Sequence, residues 1–346
     1  MKVLLLAGGT SNERDVSLTS GKAVCEALSR GGHDVVALDP ADGGSLLDAE
    51  GQYVQLPSSN SSKEVVLEGA TVPALATALG RKDLRDVDVV FIALHGGSGE
   101  NGVIQCLLEL AGLPYTGSNM TASAVAMNKA MAKRLFTYAG IPTPEWILCS
   151  RVEKQQIDQV ARMIAGKFSL PVIVKPNDGG STIGLTRVVS EDQLPQALAR
   201  AQQESQDILI EQYIPGRELT VAVLEENDDA RTLPVVEIKP KSGLYDYEAK
   251  YTKGKSDYIC PADLDAKIAR KMQATAKKAY EVIGCTGLVR VDFILAEDFT
   301  FYCLEVNTIP GMTSLSLAPM AAKAAGIDFD ELIARLLHAA LKRFHD

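Results

Sequence analysis

The sequence predicts an α/β fold whose first domain is built on a parallel sheet. Apolar runs of the kind found in buried strands alternate with segments of helical spacing over residues 1–118. The strand-like runs lie at 2–7, 34–39 and 88–97, and the helical segments, each ending at glycine, lie at 16–32 and 102–112. Strands that alternate with helices connect as βαβ units, which favour parallel pairing.

The length of the chain indicates more than one domain. Its 346 residues exceed the roughly 100–200 residues of a single domain. After residue 118 a long helical pattern runs to Gly140, strand and helix patterns follow, and an amphipathic helix ends the chain. We expect three domains, at 1–118, 119–210 and 211–346, with a lid loop at about 241–259 in the last. Within the first, the strings QYVQL and EVVLEG flank SSNSSK and predict a peripheral hairpin.

Composition and charge narrow the classes of function. The chain is 46% hydrophobic and 23% charged, which excludes a disordered, collagen-like or coiled-coil protein. With 35 Lys and Arg against 44 Asp and Glu, its formal net charge is −9. Because an acidic chain binds nucleic acid and anionic membranes poorly, neither partner is expected. A local basic pocket for an anionic ligand stays open.

No targeting, membrane or disulfide pattern is predicted. The longest apolar runs, such as 89–94, fall short of the ~18 residues that span a bilayer, and the apolar part of MKVLLLAGG is too short for a signal peptide. The six cysteines form no CxxC or CxxxC pair, so neither a disulfide framework nor a zinc site is expected. The default compartment is the reducing cytoplasm.

Two strand patterns near the carboxy terminus predict a metal site. In LVRVDFIL, Arg290 and Asp292 fall on one face by the period of two, and in FYCLEVN, Glu305 and Asn307 share a face. A hairpin that pairs Asp292 near Glu305 places two carboxylates, an amide oxygen and a guanidinium together. Oxygen ligands suit a hard cation such as Mg²⁺. The alternative is a solvated face with an ordinary Arg–carboxylate pair.

A glycine-rich loop follows the apolar strand pattern that ends in Lys175. The string VKPNDGGSTIGLT contains three glycines, which let backbone N–H groups approach phosphate oxygens, while the lysine adds positive charge. It is not a Walker A motif, because GxxxxGK[ST] does not occur here. On its own the string is also compatible with an ordinary turn.

The first strand runs into a glycine turn that contains an acid. In LAGGTSNERDVS the turn leads into a helix, a geometry that favours an anion at the helix N-terminus, yet Glu13 would repel a pyrophosphate. A carboxylate there suits an ammonium group, or is simply a surface glutamate. The dinucleotide motif GxGxxG is absent. A separate segment, 244–261, combines tyrosines, acids and lysines with glycine, which indicates a mobile flap or an exposed loop.

Six motifs occur in order along nearly the whole chain. They are AGGTSNERDVSL, LHGGSGENG, VKPNDGGSTIG, YDYEAKY, RVDF and LEVNTIPGMTSLSLAPM. With these motifs the sequence resembles the D-alanine–D-alanine ligase family. The resemblance implies a three-domain ATP-grasp fold with a Rossmann-like amino-terminal domain. It also implies ATP-dependent joining of two D-alanines through D-alanyl phosphate for peptidoglycan synthesis, by a cytoplasmic homodimer.

The resemblance implies a role for residues at each motif. Two Mg²⁺ or Mn²⁺ ions would be bound by Asp292, Glu305 and Asn307. The phosphates of ATP would be held by Lys129 and Lys175, its adenine by Glu211 and its ribose by Glu218. Glu13 would hold the first D-alanine's ammonium, His95 would lie on the substrate side, and Ser181 and Tyr251 would hydrogen-bond with Glu13 as a bridge between domains. An oxyanion hole would be formed by Arg290 and the Gly311 N–H. The carboxylate of the second D-alanine would be bound by Ser316 and the Leu317 N–H, and Lys250 would approach the transferred phosphate.

The sequence departs from the family pattern at two places, and three rival functions are compatible with parts of it. Gln212 stands where many relatives have a lysine, which affects nucleotide affinity, and Thr182-Ile183 replaces the commoner Ser-Val. Another ATP-dependent carboxylate–amine ligase, with a different second substrate, is the nearest rival. A nicotinamide-dependent oxidoreductase lacks its GxGxxG motif, and a non-catalytic binding module would not need every catalytic position filled.

Overall fold

The computed structural model describes residues 1–54, 71–227, 229–241, 254–313 and 315–345. Its strands form three sheets, which confirms the predicted α/β class. Most of the predicted peripheral hairpin and of the predicted lid loop lies outside the described residues. Within the described ranges, no helix is both long and apolar enough to cross a membrane.

The amino-terminal sheet has the strand order β3-β2-β1-β4. Its strands are β1 (Lys2–Leu6), β2 (Asp34–Asp39), β3 (Gly44–Ser45) and β4 (Val89–Ile92). As predicted, β1 pairs in parallel with both β2 and β4, and only the short β3 is antiparallel. Strand β1 is apolar at every position from Val3 because helices cover both faces of the sheet. The helices of this region are α1 (Arg14–Arg30), α2 (Thr71–Leu79), α3 (Gly97–Glu100) and α4 (Val103–Leu110).

The second sheet is antiparallel, with the order β5-β8-β6-β7. It contains β5 (Trp146–Ser150), β6 (Val172–Pro176), β7 (Thr186–Val188) and β8 (Asp207–Gln212). The helices of this part of the chain are α5 (Met120–Met127), α6 (Lys129–Tyr138), α7 (Ile157–Lys167) and α8 (Leu194–Gln202), of which α7 and α8 pack on this sheet.

The long helical pattern that ends at Gly140 is two helices, which corrects the expectation of a single one. Asn128 has an extended conformation (φ −81°, ψ 94°), and its side chain accepts a hydrogen bond from the Met131 N–H as the N-cap of α6. The break makes Lys129 the first residue of α6 and turns it toward the glycine loop.

The third sheet has the order β12-β11-β9-β13-β14, and β10 pairs with β9. Its strands are β9 (Arg217–Glu226), β10 (Asp229–Thr232), β11 (Val236–Pro240), β12 (Ser256–Ile259), β13 (Leu288–Leu295) and β14 (Phe301–Asn307). Helix α9 (Ala266–Ile283) packs on it, between an Asp265 N-cap and a left-handed Gly284.

The last two helices join the third sheet to the amino-terminal sheet. Helices α10 (Leu317–Ala324) and α11 (Phe329–His345) bury an apolar stripe in one core with residues of α1, β1 and β9. Leu332, Ile333 and Leu337 are nearly inaccessible to solvent. In the first turn of α11, Asp330 accepts two hydrogen bonds from the guanidinium of Arg30 in α1. The amino-terminal and carboxy-terminal ends of the chain therefore share a core.

Candidate active site

Two cavities meet at the glycine loop between β6 and β7. The smaller, about 170 Å³, lies between the second and third sheets, and the larger, about 760 Å³, lies between the third sheet and the amino-terminal region. Both are lined by Lys129, Gly179, Gly180, Ser181 and Glu305. The glycine loop and the first residue of α6 therefore lie between the two cavities.

The glycine loop is held by α6. Lys129 Nζ donates a hydrogen bond to the Gly179 carbonyl at 2.6 Å, and the Lys129 N–H donates to the Asn177 carbonyl at 3.1 Å. Ser181 and Thr182 have positive φ angles of 51° and 64°, which are uncommon for residues with a side chain. This backbone leaves Ser181 facing the amino-terminal region.

A buried carboxylate in the smaller cavity is balanced by two lysines. Glu211 Oε1 lies 2.9 Å from Lys133 Nζ, and its Oε2 lies 2.9 Å from Lys175 Nζ. Burial alone would raise the pKa of Glu211, but the two lysine charges outweigh it and hold this pKa below its usual value. The sequence did not single out Lys133, although it follows Lys129 by one helical turn in α6.

Two other predicted nucleotide-side residues lie at the same cavity. Glu218 lines it from β9. Gln212, which replaces the commoner lysine, uses its amide nitrogen to donate hydrogen bonds to the Ser169 and Pro171 carbonyls at 3.0 and 3.1 Å. Gln212 thus ties the end of β8 to the loop that precedes β6.

The predicted hairpin is present in the predicted register. Strands β13 and β14 pair Asp292 with Glu305 and Arg290 with Asn307. Arg290 donates two hydrogen bonds to the Asp292 carboxylate, at 2.8 and 2.9 Å, and Thr220 donates a third at 2.6 Å.

The cluster on the hairpin fits a hard cation by its chemistry. Every ligand it offers is an oxygen, from Asp292, Glu305 and Asn307, and Glu305 lies 3.5 Å from Lys129 Nζ. In the described part of the chain, no group of three or more His, Cys, Asp and Glu side chains forms a metal site. The set therefore suits an ion that takes its other oxygens from phosphate or water.

Glu13 links three of the sequence motifs in the larger cavity. It is the N-cap residue of α1, and its carboxylate accepts a hydrogen bond from the Ser181 hydroxyl. A Cβ atom on Gly180 or on Gly96 would collide with Glu13 Oε2, at 2.6 Å in the case of Gly96. The glycines of the second and third motifs are required because the backbone passes directly against this carboxylate.

His95 and Glu100 lie beside Glu13, and both are buried. His95 Nε2 is 3.2 Å from Ser20 Oγ, and burial holds the pKa of His95 below its usual value, so the ring is neutral at pH 7. Glu100 Oε2 accepts a hydrogen bond from the Gly96 N–H at 2.7 Å. Burial first, and then the Glu13 charge, raise the pKa of Glu100 to about 8. Sequence reasoning missed Glu100, although it stands inside the motif LHGGSGENG.

The far side of the larger cavity contains the residues predicted for the second substrate. Ser316 is the N-cap residue of α10, so the Leu317 N–H lies in the first turn of that helix. Ser316 Oγ accepts a hydrogen bond from the Thr313 N–H at 3.1 Å. A Cβ atom on Gly311 would come within 2.9 Å of Ser316 Oγ, so glycine permits this close approach.

All the predicted site residues within the described ranges line one of the two cavities. Two predicted residues, Lys250 and Tyr251, lie outside those ranges.

Comparison with known proteins gives one consistent family. Residues 2–118 match the family model for the D-ala D-ala ligase N-terminus, and residues 135–338 match that for the D-ala D-ala ligase C-terminus. The D-alanine–D-alanine ligase of Gloeobacter violaceus is 42% identical over 342 residues, covering 99% of this chain and 100% of the relative. That of Syntrophotalea carbinolica is 41% identical, covering 99% and 97%.

A solved structure agrees with the sequence relatives. The VanG D-Ala:D-Ser ligase from Enterococcus faecalis superposes with a TM-score of 0.78 at 30% identity, covering 98% of this chain and 99% of that one. This match supports the predicted ATP-grasp fold class. The chain belongs to the D-alanine–D-alanine ligase family.

Proposed function

We propose that the protein joins two D-alanines to D-alanyl-D-alanine, with ATP as the phosphoryl donor and D-alanyl phosphate as the intermediate, to supply peptidoglycan precursors. The observation that carries this proposal is the hydrogen bond from Ser181 to Glu13. It joins the loop suited to phosphate to the acid suited to an ammonium group. An amino acid bound through its amine at Glu13 would therefore present its carboxylate toward the nucleotide.

The first step is activation of a carboxylate. A free carboxylate is a poor acyl donor because its leaving group would be oxide, whereas transfer of the γ-phosphoryl group of ATP gives ADP and an acyl phosphate. The carboxylate and the phosphate are both anions, so cations must offset their repulsion. Lys129 and Lys175 line the smaller cavity and would supply this positive charge, while Glu211 and Glu218, which line it too, would bind the adenine and the ribose. We assign Lys250 the same role at the transferred phosphate.

Asp292, Glu305 and Asn307 would hold the divalent cations, as two Mg²⁺ or Mn²⁺ ions. Such ions, when bound, offset phosphate charge and orient the phosphate oxygens. The oxygen-only composition of the cluster and its position between the two cavities support this assignment.

The second step is attack by the amine of the second D-alanine on the acyl carbon. Ser316 and the Leu317 N–H would bind the carboxylate of that substrate, because both lie at the N-terminus of α10. Arg290 and the Gly311 N–H would stabilise the tetrahedral oxyanion, and the released group is phosphate. His95 lies on the same side as the first substrate, and Tyr251 would complete the bridge with Ser181 and Glu13.

The three predicted domains and the homodimer are also proposals. The proposed domain boundaries are those predicted from the sequence, at 118 and 210; strand β8 ends at Gln212, two residues past the second. Helix α4 exposes Val103 and Leu110, the latter by 82%, and Met120 is exposed nearby in sequence. These apolar side chains support a homodimer that covers α4, which sedimentation at micromolar concentration would test against a monomer. The cytoplasm is the proposed compartment.

The assay that tests the function measures phosphate release from ATP and Mg²⁺ with D-alanine, L-alanine, D-lactate or D-serine, with the products identified by mass. We expect release with D-alanine alone and a D-alanyl-D-alanine product. A product that forms only from D-alanine plus D-serine would favour the second candidate, a D-Ala:D-Ser ligase like the structural relative. Absence of release with any of the four would contradict ligase activity.

A further inference from the structure

Ser20 is a serine of α1 whose side chain is fully inaccessible to solvent. Its Oγ lies 3.2 Å from His95 Nε2 and accepts a hydrogen bond from the Met312 N–H, also at 3.2 Å. His95 follows β4, whereas Met312 lies in the loop between β14 and α10, 292 positions from Ser20. One hydroxyl therefore connects the amino-terminal region to the loop that contains Gly311 and ends at Ser316.

The backbone N–H groups of that loop are held by side-chain oxygens. In its described part, three N–H groups donate to such an oxygen: Ile309 to Asn307, Met312 to Ser20, and Thr313 to Ser316. Pro310 has no N–H. The Gly311 N–H has no acceptor among the described residues, and Gly311 lines the larger cavity. The loop thus leaves one backbone donor for the oxygen of a ligand.

The hydrogen bonds of Ser20 define the tautomer of His95. A serine hydroxyl has one proton to donate, and among the described residues the Ser20 O–H has no acceptor other than His95 Nε2. If Nε2 carried a proton, the O–H would be buried without an acceptor, which is costly. Because the His95 ring is neutral at pH 7, its proton is then on Nδ1.

We propose that Ser20 is a positioning residue for the oxyanion site: its hydroxyl donates to His95 Nε2, accepts from the Met312 N–H and so holds the adjacent Gly311 N–H in place. This inference rests on the proposed function. When the amine attacks, the carbonyl oxygen of the acyl phosphate takes up negative charge, and an N–H that is already in position stabilises this charge without reorganisation. Ser20 lines neither cavity, so it acts through the loop and not by contact with a substrate.

Ser17 provides a matched control on the same helix. It is also fully buried, and its hydroxyl accepts from the Gly8 N–H at 2.8 Å and donates to the Ala93 carbonyl at 2.7 Å. Both partners belong to the amino-terminal region, so Ser17 does not reach the loop of Gly311. Ser17→Ala and Ser20→Ala should both lower the urea midpoint of unfolding, whereas only Ser20→Ala should slow catalysis.

The kinetic test uses the full chain with Mg²⁺, ATP and D-alanine. Ser20→Ala should lower kcat by about 10- to 100-fold, because a small misplacement of a catalytic group is enough for a loss of this size, while Ser17→Ala should leave kcat within about twofold. KM for ATP should stay unchanged in both variants, since neither serine lines the smaller cavity. Unchanged kcat in Ser20→Ala, or an equal fall in kcat for both variants, would overturn the proposal. Absence of D-alanine-dependent phosphate release by the unsubstituted protein would instead contradict the proposed function.

A second measurement needs no variant of Ser20, so it decides the proposal even if Ser20→Ala does not fold. Long-range ¹⁵N–¹H spectra distinguish the tautomers of the four histidine rings, and the His95 signals are those that disappear in His95→Gln. We expect the His95 proton on Nδ1 and an unprotonated Nε2 at pH 7. A proton on Nε2 would overturn the proposal, because His95 would then not accept from the Ser20 hydroxyl.

Discussion

Glu211 and Glu100 are both buried glutamates, one in each cavity, with opposite electrostatic surroundings. Glu211 lies between two lysines, each 2.9 Å from one of its oxygens, and its pKa is held down. Glu100 faces another acid, and its pKa is raised to about 8. The carboxylate of Glu211 is thus balanced by cations in direct contact with it, whereas at Glu100 burial and the neighbouring Glu13 charge outweigh the charges of Arg290 and Lys129.

The largest effect is expected from removing one of the two lysines. Lys133→Met leaves Glu211 with a single cationic partner in a fully buried position, and breaking a buried ion pair costs about 3–5 kcal/mol. Urea unfolding should show a loss of this size. The matched control is Lys167→Met, because Lys167 and Glu145 are exposed and 4.0 Å apart, a type of pair that contributes below about 1 kcal/mol. Similar losses in the free energy of unfolding for both variants would contradict the importance of the charge balance between Glu211 and its two lysines.

The next effect concerns the hairpin that borders both cavities. Asp292→Asn removes a negative charge held by Arg290 and Thr220, and we expect kcat to fall by about 10²–10³, the usual result of losing one electrostatic catalytic group. The folded structure should persist, as judged by circular dichroism. Asp298→Asn makes the same change in the turn of the same hairpin, where Asp298 accepts a hydrogen bond from the Thr300 N–H away from both cavities, and should leave kcat within about twofold. Retained activity in Asp292→Asn at millimolar Mg²⁺ would contradict the metal assignment.

The two glutamates should also give stability profiles of opposite sign with pH. A carboxyl whose pKa is raised on folding, as at Glu100, binds more protons in the folded state, so its contribution to stability is lost as pH rises from about 4.5 to 8. Glu100→Gln should therefore gain stability relative to the unsubstituted protein between pH 5 and 8, by about 1–3 kcal/mol. Glu211 has a lowered pKa, and its contribution is lost as pH falls instead. Thermal unfolding midpoints of Glu100→Gln and Glu211→Gln from pH 3 to 8 would show both trends, with the Glu211 trend confined to pH values below about 4.5. Parallel profiles for the two variants would count against the comparison.

Local pattern predicted much of this arrangement. The alternation of faces in two short strands was enough to place Asp292 opposite Glu305, because side-chain direction in a strand follows directly from position. The break at Asn128 was not predicted, since apolar and small residues continue on both sides of it and only the backbone geometry shows the second N-cap. It is this break that directs Lys129 to the glycine loop.

The different electrostatic surroundings of Glu211 and Glu100 could not be predicted from the sequence. Lys133 and Glu211 are 78 positions apart, and only the tertiary fold, in which α6 packs on β14 while Lys133 reaches the end of β8, brings them together. Glu100 stands in a glycine-rich string typical of an exposed turn, yet it is buried, and its helix α3 packs on α4 and α5. Burial and charge at a side chain are set by non-local neighbours, so a single sequence gives the residues of the site but not their protonation.

The smallest effect is expected at Gln212, which lines the smaller cavity. Its amide donates to the Ser169 and Pro171 carbonyls, and each such hydrogen bond contributes about 0.5–1.5 kcal/mol. Gln212→Ala should therefore raise KM for ATP about three- to tenfold by loosening the loop beside the adenine position, while KM for D-alanine stays unchanged because Glu13 and Glu100 lie in the other cavity. Initial rates with each substrate varied in turn would separate the two constants. An equal rise in KM for D-alanine and for ATP would mean that the two cavities are not independent. The different surroundings of Glu211 and Glu100 would then not mark a nucleotide side and a substrate side of the molecule.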